Sequence, residues 1–251
     1  MKDELIFIEN SHPLIHNITN YVAMNFVANC LLAIGASPIM ARACEEVEEI
    51  SSSCQALALN IGTPERESIR AMILAGTAAR KKNIPIVLDI VGAGATSFRM
   101  KAVQEIIHAC HPTVIKGNAN EIMALYAQHA EEVGIDSSID TFEVREQAKL
   151  LAQRLSCVIV VTGPTDIITD GTATTYIHAG DPMMRKVTAM GCASTGIIAA
   201  FLSTGQQPYA ACVHAMQAMG TAGERAAAIS KGSGSMMINF LDELCTLNGH
   251  E

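Results

Sequence analysis

The segment Val187–Phe201, VTAMGCASTGIIAAF, places a small-residue loop directly before an apolar helix. Backbone N–H groups at such a helix start are unpaired and point outward, so they can hold a phosphate or a developing negative charge. Cys192 falls in that first turn, where the positive end of a helix lowers a thiol pKa. The same residues equally suit a tightly packed loop around a buried cysteine. A second group is KGNANEI, in which Lys116, Asn118 and Glu121 follow one another at the end of an apolar run. A lysine, an amide and a carboxylate converging there suit a polyphosphate with Mg²⁺, because that metal takes carboxylate and phosphate oxygens. Asn118 with Glu121 three residues on is also a capping box, which structure alone would explain.

Asp89 ends the strongest apolar run and precedes Gly92 and Gly94. An acid there either holds a metal-bound water or caps the following loop through backbone amides. GAGATS is not a dinucleotide fingerprint, since the third glycine is missing and the GxG lies in mid-chain. Thr162-Gly163 closes another run, where glycine permits a close approach by a nucleotide or simply makes a turn. Thr19 and Asn20 precede a helix whose apolar face includes Val22, Phe26, Val27 and Leu31, so each is a candidate cap. Met40 reads as core filler or as a ligand contact. Neither HxxxH nor HExxH occurs, and GxSxG and GxxxxGK[ST] are absent, which disfavours histidine-bound metal, serine hydrolysis and a P-loop.

These residues need elements to place them. Leu57–Asn60, Pro85–Ile90, Thr113–Ile115 and Val158–Thr162 read as buried parallel strands, each running into a Gly- or Asn-containing loop. Thr63-Pro64-Glu65 predicts a helix from an N-cap at Thr63 to about Lys82. Asp170-Gly171, between Asp166–Thr169 and Ala173–His178, is a two-residue hairpin signal and predicts an antiparallel edge. Tyr21 to Met40 reads as a buried helix and loop, and Gly191 to Ser230 as almost wholly helical. The expected fold is α/β, a layered, mostly parallel sheet with helices on both faces, in one domain spanning residues 1–251. Such sheets bind ligands beyond the carboxyl ends of their strands, where the Gly/Asn loops lie.

Bulk properties narrow the possible partners and compartment. The net charge of -8 argues against nucleic acid and anionic membrane as partners. The first residues lack a secretory signal, which predicts a cytoplasmic protein. The eight cysteines show neither a zinc pattern nor a disulfide framework.

Six blocks occur in order: HNITNYVAMNFVANCLLAIGASPIM (16–40), LALNIGT (57–63), VLDIVGAGAT (87–96), IKGNANEIMAL (115–125), VVTGPTDIITDG (160–171) and VTAMGCAST (187–195). Together they resemble the hydroxyethylthiazole kinase family, of ribokinase-like fold. The resemblance implies ATP-dependent phosphorylation of 4-methyl-5-(2-hydroxyethyl)thiazole with Mg²⁺, in thiamine biosynthesis and salvage, by a homotrimer with active sites between subunits. It places Asn20, Met40, the Gly62 loop and the backbone of Ala189 at the thiazole. Lys116, Thr162, Met190 and Gly191 fall on the ATP side, Asp89 and Glu121 on the Mg²⁺ side, directly or through water, and Cys192 at the catalytic position. Three departures from the family's usual pattern stand out: Ile90 for proline, Lys116 for arginine, and Ala189-Met190 for Gly-Thr or Gly-Ala. An alanine at 189 is strained wherever that position requires φ > 0. The alternatives are a kinase of another alcohol, a silent thiazole- or nucleotide-binding relative, and a dinucleotide oxidoreductase.

Overall fold

The computed structural model describes residues 1–132 and 144–247. Its sheet has the order β2-β1-β3-β4-β5-β6-β7-β8. The strands are β1 (Leu14–Ile18), β2 (Ser37–Ile39), β3 (Ala56–Asn60), β4 (Ile86–Asp89), β5 (Val114–Asn118), β6 (Val158–Thr162), β7 (Asp166–Thr169) and β8 (Thr174–Ile177). Pairing is parallel from β2 to β6 and antiparallel from β6 through β8. The expected layered α/β sheet with an antiparallel edge is therefore present.

Helices α1 (Lys2–Ser11), α2 (Met24–Ala33), α8 (Met190–Leu202), α9 (Pro208–Ile229) and α10 (Ser233–Thr246) form one layer. On the other face lie α3 (Val47–Ser51), α4 (Arg66–Lys81), α5 (Ser97–Cys110), α6 (Ala119–Glu132) and α7 (Val144–Leu155). Helix α8 is apolar all round and buried from Ala193 to Leu202, as a helix covered on every side must be. Its Phe201 is fully buried, and a side chain of that size contributes about 1.5–3 kcal/mol by leaving water.

Strand alternation decides what faces α8. Ala58, Val87, Val114 and Val160 belong to the core on that side, whereas Leu57, Leu59, Leu88, Ile115 and Ile159 belong to the opposite one. Side chains two positions apart share a face. Asn60, Asp89, Lys116 and Thr162, each two residues beyond a valine or alanine of the α8 core, therefore project toward α8 at the carboxyl ends of β3, β4, β5 and β6. Register aligns the first three, with Asn60 opposite Asp89 and Asp89 opposite Lys116.

Several local expectations are corrected. The helix expected from Thr63 begins at Arg66, with Glu65 at its N-cap paired to Ser68; Thr63 Oγ1 instead accepts the N–H of Tyr21 at 3.3 Å. The β7–β8 loop holds four residues rather than two, because Thr169 pairs with Thr174 and Asp170 Oδ1 accepts the N–H groups of Thr172 and Ala173. The run from Tyr21 to Met40 contains edge strand β2 as well as α2; an edge tolerates Pro38, which has no N–H to give. Between α8 and α9 the chain breaks at Gly205, whose φ is 78°, and Pro208 opens the next helix. No helix among the described residues is long and apolar enough to cross a membrane.

One buried group couples this frame to pH. His16 on β1 is fully buried, with Nδ1 2.7 Å from Ser51 Oγ and Nε2 3.0 Å from the carbonyl of Ala41, so it pins the chain just after Met40. Burial lowers its pKa below 6.5, so an unfolded chain takes up a proton that the folded one refuses. The stabilisation is complete above pH 6.5 and declines as the pH falls below it, by at most about 1.4 kcal/mol per unit. Urea unfolding at pH 7.5 and 5.5 is expected to show a larger loss of stability in the wild type than in His16→Gln. Equal losses would show that His16 is not the titrating group.

Candidate active site

The residues at the carboxyl ends of the strands are joined by a continuous chain of hydrogen bonds. Asp89 Oδ2 accepts from Asn60 Nδ2 at 2.7 Å, Thr195 Oγ1 at 2.8 Å and Lys116 Nζ at 3.1 Å. Asp89 is 2% exposed and Lys116 3%, so this ion pair is buried. A buried carboxylate is tolerable only with such partners. Asn60 Oδ1 accepts from Asn20 Nδ2 at 2.8 Å and from Gly62 N at 2.9 Å. Asn20 Nδ2 also donates to Cys192 Sγ at 3.3 Å, while its Oδ1 accepts the N–H groups of Val22 and Ala23. Both Asn20 side-chain hydrogens are thereby used, and its orientation is fixed from α2 to α8.

The neighbouring loops are fitted to this chain. A Cβ on Gly62 would lie 2.6 Å from Asn20 Nδ2, so only glycine leaves Asn20 in place. Glu121 accepts Gly92 N on Oε1 and Asn118 N on Oε2, both at 2.7 Å, and Asn118 Oδ1 accepts Glu121 N at 3.0 Å. The capping box is thus real, and its carboxylate also anchors the loop after β4.

Helix α8 points its N-terminus at this cluster. Ala189, its N-cap, has φ 67° and ψ -1°, and its carbonyl accepts Ala193 N at 2.8 Å. Position 189 therefore does require the left-handed region, and the alanine there is strained. The thiol of Cys192 behaves opposite to the expectation from a helix start. Burial raises its pKa first, and the negative charge of Asp89 adds to the rise; Lys116, Asn20 and Asn60 offset only part of it. Cys192 is therefore a thiol at neutral pH. Farther along the sheet, burial raises the Asp166 carboxyl to about 6, while its Oδ1 accepts Gly163 N at 3.0 Å.

Of the residues expected from sequence, Asn20, Gly62, Asp89, Lys116 and Cys192 meet in one network, with Glu121 holding the adjacent loop. Ala189, Met190 and Gly191 form the start of α8 beside it. Thr162 shares the face but donates to the carbonyl of Gly117 at 3.4 Å, and Met40 lies partly buried against the α8 core near the outer edge. Three residues were missed by sequence reasoning. Asn60 ends a strand inside a quoted block, Thr195 is a hydroxyl one helical turn past Cys192, and Arg99 is a cation in the first turn of a helix. Arg99 donates to the carbonyls of Ile61 and Val91 at 2.8 Å and of Gly62 at 2.9 Å.

A mostly parallel sheet with this edge, carrying a buried Lys–Asp pair and a helix N-terminus at the same end, is of ribokinase-like architecture, and the relatives that the chain resembles are small-molecule kinases. A pyridoxal kinase from Staphylococcus aureus, solved with AMP-PCP and pyridoxal, shares the fold at 12% identity and a TM-score of 0.65, over 85% of this chain and 88% of that one. The chain belongs to the hydroxyethylthiazole kinase family, whose family model matches residues 5–250. It is 45% identical over 250 residues to a hydroxyethylthiazole kinase of Thermoanaerobacter pseudethanolicus, covering 98% of this chain and 95% of the relative. A relative of that name from Desulfosudis oleivorans is 46% identical, with 96% and 88% covered. The solved hydroxyethylthiazole kinase of Pyrococcus horikoshii OT3 superimposes with a TM-score of 0.90 at 36% identity, covering 98% of this chain and 92% of that one.

The strain at position 189 can be measured. The left-handed region costs a non-glycine residue about 1–2 kcal/mol, whereas glycine adds about 0.5–1 kcal/mol of backbone entropy to be lost on folding. Ala189→Gly is therefore expected to stabilise the protein by roughly 0.5–1 kcal/mol in urea unfolding. A variant no more stable than the wild type would mean that the loop relaxes the strain elsewhere.

Proposed function

We propose that this chain transfers the terminal phosphoryl group of ATP to the primary alcohol of 4-methyl-5-(2-hydroxyethyl)thiazole, a step of thiamine biosynthesis and salvage. The observation that carries this reading is the meeting of the Asp89–Lys116 pair with the α8 N-terminus through Asn60, Asn20 and Cys192, in a chain of this family. The whole of residues 1–251 serves as a single catalytic domain.

In this reading Asn20, Met40, the Gly62 loop and the backbone of Ala189 hold the thiazole, so the alcohol lies near Cys192. Lys116, Thr162 and the amides of Met190 and Gly191 hold the nucleotide. The residues fit a Mg²⁺ that arrives with the phosphates. Among the described residues no group of three His, Cys, Asp or Glu could hold a metal by itself, while Asp89 has Oδ1 left once its three donors are seated on Oδ2. Asp89, and Glu121 through water, would hold the ion, which when bound neutralises phosphate charge.

Phosphoryl transfer of this kind depends chiefly on positioning and electrostatics, and its loose transition state makes little demand on a strong base. Lys116 and the α8 amides supply positive potential where charge accumulates. Cys192, a protonated thiol held by Asn20, orients the alcohol, whose proton leaves to a phosphoryl oxygen or to solvent as the ester bond forms. The substitution at Ala189 leaves the helix start intact, so the amides of Met190–Cys192 remain available to an anion. We assign the family's homotrimer with sites between subunits as well. Tyr21 and Val22, 57% and 63% exposed beside Asn20, supply apolar surface at the mouth of the site for a neighbouring subunit to cover.

Phosphorus NMR with Mg-ATP and the thiazole alcohol tests the activity: a phosphomonoester signal growing with ADP is expected, and none without the alcohol. ADP release with no ester formed would overturn the reading. Cys192→Ala is expected to lower kcat by only about tenfold, below the usual range of general-base contributions, with the pH profile between 6 and 8 unchanged in shape. A loss of about a thousandfold would instead make the thiol the essential base.

A further inference from the structure

We infer that Arg99 is a positioning residue for phosphoryl transfer, joining the loop that receives the thiazole to the loop that follows the metal-side carboxylate. The inference rests on the placement of the thiazole at the Gly62 loop proposed above.

Two peptide groups are each held from both sides, and Arg99 is common to both. In the peptide joining Ile61 to Gly62, the carbonyl accepts Arg99 Nη1 at 2.8 Å and the N–H donates to Asn60 Oδ1 at 2.9 Å. In the peptide joining Val91 to Gly92, the carbonyl again accepts Nη1 at 2.8 Å and the N–H donates to Glu121 Oε1 at 2.7 Å. Nη2 adds the Gly62 carbonyl at 2.9 Å. A peptide plane fixed at both its oxygen and its hydrogen cannot rotate. The ends of β3 and β4 are therefore locked to each other by one side chain from α5. Asn60, which grips the first of these peptides, is itself bonded to Asp89, so the brace and the polar row share a residue.

Arg99 is not where helix electrostatics would put a cation. It is the third residue of α5, at the positive end of the macrodipole, and among the described residues it makes no ion pair. The guanidinium is only partly exposed and meets carbonyl dipoles alone. A planar fork with several N–H groups can serve three carbonyls from two loops at once, which a single ammonium cannot do with the same geometry. Gly92 makes room for it: φ is 74°, and an added Cβ would lie 3.1 Å from the Arg99 side chain. Its placement is explained by the distance between two loops, one at the thiazole and one after the metal-side carboxylate, and misplacement of reacting groups by about an ångström lowers rates by about a hundredfold.

The experiment compares Arg99→Met, Arg99→Lys, Arg99→Ala and Gly62→Ala in steady-state kinetics for both substrates, with melting temperatures. Arg99→Met is expected to raise KM for the thiazole alcohol and lower kcat, together about a hundredfold in kcat/KM, with a smaller change in KM for ATP. Arg99→Lys is expected to recover only part of this, and guanidinium ion at low, non-denaturing concentration to restore activity to Arg99→Ala. Near-wild-type kinetics in Arg99→Met would overturn the inference. So would activity falling in step with melting temperature in every Arg99 variant with no rescue by guanidinium, which would mark a purely structural support. Gly62→Ala separates the underlying reading: an unchanged thiazole KM there removes the Gly62 loop from the substrate site and the inference falls with it. A raised KM in Gly62→Ala beside an unaffected Arg99→Met refutes the brace alone.

Discussion

A carboxylate shut away from water is tenable only where donors replace its hydration, and Asp89 meets that condition with three on a single oxygen. Each donor arrives from a different element: Asn60 from β3, Lys116 from β5 and Thr195 from α8. The charge therefore fixes the spacing of two strands on either side of β4 and the depth at which α8 sits on the sheet. Replacing only one partner of such a buried pair costs about 3–5 kcal/mol, because the remaining charge is stranded. The cluster is as much a constraint on the fold as a feature of the site. The apolar row of Ala58, Val87, Val114 and Val160 ends where this polar row begins, so core and site are consecutive layers of one face.

Helix α8 carries the consequence toward the substrate. Its body is held by apolar packing, but its first turn must bring Cys192 within reach of Asn20 and keep amides free. Ala189 makes the turn possible in a conformation that alanine adopts at a cost. The rest of the helix, buried from Ala193 onward, over-determines the position and holds the strained residue in place. The same placement raises the Cys192 pKa, since it sets the thiol in a buried environment beside the Asp89 charge. A helix N-terminus favours a thiolate only when burial and a nearby anion do not outweigh it. Here they do.

Much of the architecture was legible because central parallel strands are short apolar runs; β6 has the bounds that the run Val158–Thr162 suggests. Strands β1 and β2 were not legible. Leu14–Ile18 contains His16 and Asn17, polar residues buried only because Ser51, Ala41 and the backbone satisfy them, and no local pattern reports those partners. The same limit applies at the site. Asp89, Lys116 and Glu121 announce themselves by charge at strand or helix ends, but the pairing of Asp89 with Lys116 depends on register between neighbouring strands. Thr195 depends on the approach of a helix more than 100 residues away in the chain. Arg99 carried a usable signal, a cation in a first helical turn, whose meaning appears only when three carbonyls from two loops converge on it.

Lysine at position 116, where the family resemblance leads one to expect arginine, bears on how the row can act. An arginine presents a rigid fork that could grip two oxygens at once, whereas the ammonium is a point charge on a flexible stem. In this chain the ammonium gives one of its three N–H groups to Asp89, so it can turn the others to a phosphate or leave the carboxylate for it altogether. That move would strand a buried charge if Lys116 were its only partner. Asn60 and Thr195 remain on the same oxygen, and both are neutral donors that need no counter-charge of their own. The redundancy of donors lowers the cost of lending the cation to an incoming phosphate, and a divalent ion arriving with the nucleotide would restore the balance of charge. The three-donor arrangement thus accounts for a stable resting carboxylate and for a lysine free to leave it.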